Sequence, residues 1–295
     1  MDIALKVVLP LLLAVIMFSL GLGLTVRDFT RVLRQPRALA AGVLAQMVLL
    51  PVVAYLLVVA FGLTGALAVG FMILAFCPGG VTSNLMTRFA RADVALSVSL
   101  TGVMSLASVV TIPILVAWAV SRFTPDANGA SAASLAIASF VIVALPVGLG
   151  ILLRARRPAL ADRMEPVFYK VSTAIFVLFV VAALATNWNL FVSNLVSLGV
   201  PLILLNIAMI AVGLTLGAVF ALGAKGSATI AIEAGVQNST MGITLAGLVA
   251  GAGSEALGPY ALASAVYGIT MYAVTLPVIW WLRRREAYPL PEAAE

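Results

Sequence analysis

Apolar stretches of about 20 residues recur from one end of this 295-residue chain to the other, and no other feature limits the possible folds so tightly. Inside a bilayer no water satisfies the backbone, so a run of that length crosses as a helix. Closed barrels would instead show short alternating segments. Composition agrees, with 63% hydrophobic and 9% charged residues. The expected fold class is an all-α polytopic membrane protein with nine transmembrane helices. The spans lie at about 5–24, 39–61, 67–86, 94–120, 132–153, 167–186, 198–222, 227–250 and 257–282. The first is too long for a signal peptide core, no small-residue cleavage site follows it, and Arg27 closes it. A single cysteine, Cys77, excludes an internal disulfide, and the chain has no histidine.

The loops alternate in charge. Arg27, Arg31, Arg34 and Arg37 follow span one, and Arg88 and Arg91 follow span three. Arg154, Arg156, Arg157, Arg163 and Lys170 surround the loop after span five, Lys225 follows span seven, and Arg283, Arg284 and Arg285 follow span nine. Only Lys6 and Arg122 fall on the other side. The positive-inside rule then places the N-terminus outside and the tail, 286–295, in the cytoplasm. The net charge of +6 is therefore a topology signal and not a nucleic-acid footprint. Membrane lipid and a small-molecule substrate are the expected partners, and no obligate protein partner is evident.

One acid breaks the apolar pattern. Glu233 is the only charged side chain in the middle of any span, where a charge costs at least ~2.5–3.5 kcal/mol and usually marks an ion or substrate pathway. It opens Glu233-Ala234-Gly235-Val236-Gln237-Asn238-Ser239, in which glycine permits unwinding and the amides supply oxygens. Span three carries Cys77-Pro78-Gly79-Gly80-Val81-Thr82-Ser83-Asn84. Both stretches read Gly-Val, a polar run, then Met six positions after the glycine. Spans three and eight run in opposite directions, so two matched interruptions point to an inverted-repeat transporter. The nine spans divide 4+5, with one to four pairing with six to nine. Two half-helix N-termini would face the midplane, suited to an anion, and the freed carbonyls would suit a cation. A plain kink is the competing reading of either interruption taken singly.

Span four adds Ser97, Thr101 and Ser105, four apart on one face, with Ser108 close by. Such hydroxyls equally serve to bond back to their own helix or to pack helices together. Gln46 lies deep in span two, where its amide needs either a ligand or an interhelical partner. Glu233 itself has the alternative of a protonated carboxyl bonded to a neighbour.

At these residues the chain resembles the bile acid:sodium symporter family. Cys77 to Asn84, Ala95-Leu96-Ser97 and Glu233 to Ser239 carry the resemblance, and the chain looks like a nine-span form lacking the first helix of ten-span bacterial relatives. The resemblance implies two sodium ions where the broken helices cross. One would be held by Ser83, Asn84, Ser97, Thr101 and Glu233. The other would be held by Gln46, Glu233, Gln237 and the carbonyls of Ala234 and Val236. It also implies a core domain (spans within about 39–120 and 198–282) and a panel domain (5–24 and 132–186). A substrate surface would include Val81, Thr82, Asn238, Tyr267, Gly268 and Thr270, and the location would be a bacterial inner membrane.

The expected function is sodium-coupled symport of an organic anion, such as a bile acid, a pantoate-like acid or a keto acid, by alternating access. The alternative on the same fold is proton-coupled transport, or export of a metabolite or oxyanion. An intramembrane enzyme is disfavoured: there is no histidine, no second buried acid, and no base beside Cys77. A sensor that binds without transporting is the remaining possibility.

Overall fold

A computed structural model of the chain describes residues 2–25, 30, 33–124, 132–186, 188–250 and 258–286. Arg27, Arg31, Leu257 and residues 287–295 of the tail lie outside the described residues. The regular structure described is helical. In chain order the helices are α1 (Asp2–Gly23), α2 (Pro36–Ala60), α3 (Gly65–Phe76), α4 (Val81–Phe89), α5 (Val94–Phe123) and α6 (Ala132–Arg156). They continue with α7 (Pro158–Thr186), α8 (Trp188–Val219), α9 (Gly223–Gly235), α10 (Ser239–Ala250) and α11 (Pro259–Glu286).

Among the described residues, four helical segments are long and apolar enough to cross a membrane: Pro36–Ala60, Val94–Phe123, Phe191–Val219 and Pro259–Arg284. Large apolar side chains stand exposed along the helices, among them Leu56, Ile114, Leu178 and Val196. In water such a surface would aggregate, whereas lipid tails are its natural solvent.

Local chemistry sets where the helices bend and stop. Leu44–Leu49 of α2 form one wide π turn just before Pro51. Proline lacks the amide proton and its ring clashes with the preceding turn, so the widened turn absorbs both defects and rotates Gln46 inward. The N-cap of α5 is Asp93, whose carboxylate accepts the Leu96 amide at 2.9 Å. Helix α8 begins at Trp188, ten residues before the expected start of span seven at 198. The extra turns carry Asn189, Ser193, Asn194 and Ser197, which a hydropathy reading assigns to a loop but which an aqueous helix end accommodates.

Small residues let the helices approach. A Cβ on Gly213 or Gly217 of α8 would lie 2.4 Å from Ala231 or Ser227 of α9, and one on Gly70 of α3 only 2.1 Å from the Tyr260 carbonyl of α11. Close backbone approach is how helices associate in lipid, where burial from water supplies no drive. Among the largest fully buried side chains are Phe71, Met72, Ile73 and Leu74 of α3 and Tyr267 of α11. Helices α3, α5, α10 and α11 pack around them, while α1 packs chiefly against α6 and α7.

Candidate functional site

The site is built where α3 gives way to α4 and α9 gives way to α10. Cys77 turns to extended backbone after Phe76, and the extended Gly80 leads into α4. On the other side Val236 is extended, and the chain regains helix only at Ser239. The two interruptions touch, because the Asn238 amide donates to the Pro78 carbonyl at 3.0 Å.

Each interruption frees carbonyls that need donors, and side chains from distant helices and from the interruption itself supply them. Gln46 Nε2 donates to the Cys77 carbonyl at 3.0 Å, and Gln237 Nε2 to the Ala234 carbonyl at 2.7 Å. Asn206 Nδ2 and the Tyr267 hydroxyl both donate to the Gly235 carbonyl, each at 2.6 Å, and Asn206 Nδ2 also reaches the Tyr267 oxygen at 2.9 Å. The unwound segments are thus held open by fixed partners and are not simple kinks.

Glu233 ends in a cluster of oxygens. Its Oε1 contacts Ser83 Oγ at 2.8 Å and Ser97 Oγ, and its Oε2 contacts Thr101 Oγ1 at 2.9 Å. Asn84 Oδ1 faces the same space, 2.8 Å from Ser97 Oγ and 3.3 Å from Thr101 Oγ1, and Ser83 Oγ lies 2.7 Å from the Gly80 carbonyl. Each hydroxyl therefore touches two acceptors, yet each has one proton to donate. With Glu233 ionised, half of these six oxygen–oxygen contacts have no proton between them. Gly79 makes the approach possible, since a Cβ there would lie 2.7 Å from Glu233 Oε2. Helices α4, α5 and α9 each contribute, so the five residues expected together from sequence, Ser83, Asn84, Ser97, Thr101 and Glu233, do meet.

The second expected set meets in part. Gln46 Nε2 donates to Gln237 Oε1 at 2.5 Å, and Gln237 Nε2 faces Gln46 Oε1 at 3.4 Å. The Ala234 carbonyl joins them through Gln237. Glu233 makes its hydrogen bonds to the serine and threonine set and none to either glutamine, and Val236 is buried with no side-chain donor on its carbonyl.

A cavity of about 590 Å³ opens on the other face of the Glu233 cluster. Thr82, Asn238 and Gly268 line it, together with Asn84, Thr101, Ser19, Glu165 and Tyr272. Val81 is the first residue of α4. Tyr267 and Thr270 are placed elsewhere: Tyr267 is fully buried against Gly235, and Thr270 bonds back to the Val266 carbonyl at 3.1 Å. A much smaller pocket, about 60 Å³, sits beyond Gln46, Pro78 and Ser108.

Sequence reasoning did not single out Asn206, Tyr267 as a backbone anchor, or Glu165. Asn206 was detectable, being a lone amide deep in an apolar span just as Gln46 is. Glu165 was not, because it lies among charges at a helix start and reads there as a loop residue.

The sequence has matches among known proteins. The family model for the sodium bile acid symporter family matches residues 10–194, so Glu233 lies beyond the matched stretch. A probable sodium/metabolite cotransporter, BASS2, of rice is 31% identical over 79% of this chain and 55% of its own length. An uncharacterized sodium-dependent transporter, YocS, of Bacillus subtilis is 32% identical over 81% of this chain and 73% of its own. The rat sodium-dependent organic anion transporter is 32% identical over 82% and 66% respectively. The chain spans little more than half the length of the plant relatives it matches. These relatives are named as transporters and not as enzymes. By the matched model and by these identities, the chain belongs to the sodium bile acid symporter family of membrane transporters.

Proposed function

We propose that this protein is a sodium-coupled symporter of an organic anion, working by alternating access. The observation that carries the reading is the proton shortage around Glu233. Three hydroxyls, an amide oxygen and a carboxylate converge with too few protons to pair them. A hard cation with oxygen ligands relieves that repulsion and neutralises the buried acid. The first sodium ion takes Ser83, Asn84, Ser97, Thr101 and Glu233. The second takes Gln46, Gln237 and the carbonyls of Ala234 and Val236, with Glu233 between the two.

The organic anion occupies the large cavity, against Val81, Thr82, Asn238 and Gly268. Two sodium ions with one monoanion carry one net charge inward, so the membrane potential contributes about 2.3 kcal/mol per 100 mV. Nine spans in inverted halves, with a core of α2–α5 and α8–α11 rocking against a panel of α1, α6 and α7, account for the access change. The packing of α1 on α6 and α7 supports that division. The size difference between the cavities on the two faces of the crossing supports a state open to one side, and the basic loop at Arg154–Arg163 supports a cytoplasmic position for that side.

The test is thermal unfolding of the purified chain in sodium chloride against choline chloride. A ligand that binds the folded state raises its apparent stability. Sodium should raise the unfolding temperature of the wild type and leave Glu233→Gln unchanged. An equal rise in both proteins would remove Glu233 from the site.

A further inference from the structure

The large cavity has two walls of opposite character. One is the crossing itself, where the twelve-residue α10 points its N-terminus at the cavity. Asn238 caps that helix by accepting the Met241 amide at 3.0 Å, and its Nδ2 makes no hydrogen bond among the described residues. Ser239, Ser264 and Ser105 line the same cavity, are at least nine-tenths buried, and have hydroxyls with no partner. Bare backbone faces them: a Cβ on Gly242 would lie 2.3 Å from Ser264 Oγ, and one on Gly268 would lie 3.3 Å from Ser239 Oγ. The helix N-terminus and the unbonded Asn238 Nδ2 stand at the cavity wall, and a guest's carboxylate fits them.

The opposite wall is formed by α1 and the start of α7, and its charged group is Glu165. The Glu165 carbonyl accepts from Ser19 at 3.5 Å, which ties this turn of α7 to α1. A Cβ on Gly23 would come within 4.0 Å of the carboxylate. No lysine or arginine lines the cavity, and Glu165 has no ion pair among the described residues. Arg154, the nearby cation, turns instead to Asp162 and to the Leu22 carbonyl. An unpaired carboxylate facing a substrate cavity seeks a proton donor, and it repels a second anion.

Resting on the transporter reading above, we infer that the substrate is a monoanionic carboxylic acid carrying a hydroxyl donor at the end remote from its carboxylate. Glu165 receives that donor and is a specificity-determining residue. An acid ending in a methyl group leaves Glu165 desolvated and unpaired, and a dicarboxylate sets two like charges together.

The experiment is ligand-induced stabilisation of the full chain in sodium, with four acids of one chain length: pentanoate, 5-hydroxypentanoate, 5-aminopentanoate and glutarate. The hydroxy and amino acids should half-saturate at concentrations at least tenfold lower than pentanoate and glutarate. The amino acid, a net-neutral zwitterion, serves as a probe of the Glu165 charge. Glu165→Gln should erase the advantage of the amino acid, and Glu165→Lys should make glutarate the best of the four. Glutarate or pentanoate leading in the wild type, a ranking that Glu165→Lys leaves intact, or no stabilisation by any of the four overturns the proposal. Stabilisation by sodium alone is read in parallel. Its absence from the wild type defeats the transporter reading, whereas its presence beside a flat ranking defeats only this inference.

Discussion

Two polar clusters sit at the same crossing, and their hydrogen-bond accounts differ. Around Gln46 and Gln237 the protons match the acceptors: each side-chain NH₂ has two, directed at the partner glutamine and at a freed carbonyl, Cys77 or Ala234. Around an ionised Glu233 they do not, since three hydroxyls with three protons make six contacts to acceptor oxygens. Both clusters are buried, both join distant helices, and both look polar in the sequence. The difference teaches that polarity alone does not mark an ion site. On the proposed reading a shortage of protons among converging oxygens does, because a cation between them removes the repulsion. The glutamine pair is self-sufficient as it stands and must rotate an amide to offer oxygens. Sodium at the Glu233 cluster should therefore bind more tightly than sodium at the glutamine pair.

The largest effect expected is at Glu233. Replacing it with glutamine removes the charge and adds donors, so the charge-assisted contacts disappear. A loss of roughly 3 kcal/mol, or about 100-fold in sodium affinity, should appear in a sodium titration of stability. Thr101→Val keeps the shape and deletes one hydroxyl ligand. Sodium affinity should fall by ~1.5 kcal/mol, near tenfold, with little change in stability measured without sodium. Gln237→Leu breaks the matched pair and should act in the reverse sense. Stability without sodium drops by about 1–3 kcal/mol because Gln46 and the Ala234 carbonyl lose a partner, while the tighter sodium phase persists. If Gln237→Leu and Thr101→Val changed sodium affinity equally, the distinction between the clusters would fail. Tyr267→Phe should have the smallest effect, ~0.5–1 kcal/mol of stability, because Asn206 still donates to the Gly235 carbonyl. A larger loss than from Asn206→Ala would show that the tyrosine is the main anchor of the interruption.

Much of the crossing was legible in the sequence, for reasons that are physical. Glu233 stands out because charge in an apolar run is costly, and Pro78, Gly79 and Gly80 stand out because they cannot sustain a helix. Ser97 and Thr101 share a face by their spacing, which is local geometry. Other parts depend on three-dimensional placement that spacing does not encode. The direction of the Tyr267 hydroxyl follows from how α11 rotates against α8, so a residue expected at the substrate surface turned out to hold backbone. Thr270 bonds to its own helix for the same reason. That Glu233 gives both oxygens to the hydroxyl cluster and neither to the glutamines is a question of side-chain reach, which two ligand sets sharing one acid leave open. Glu165 acquires meaning only once α7 is docked beside α1 and a cavity exists between them and the crossing.

Direct binding of radioactive sodium to the purified protein tests the central claim most closely. The wild type should bind sodium saturably, with potassium and choline unable to compete, and Glu233→Gln should lose the tight phase while remaining folded. Saturable binding that survives this substitution unchanged would place the ion elsewhere and contradict the account.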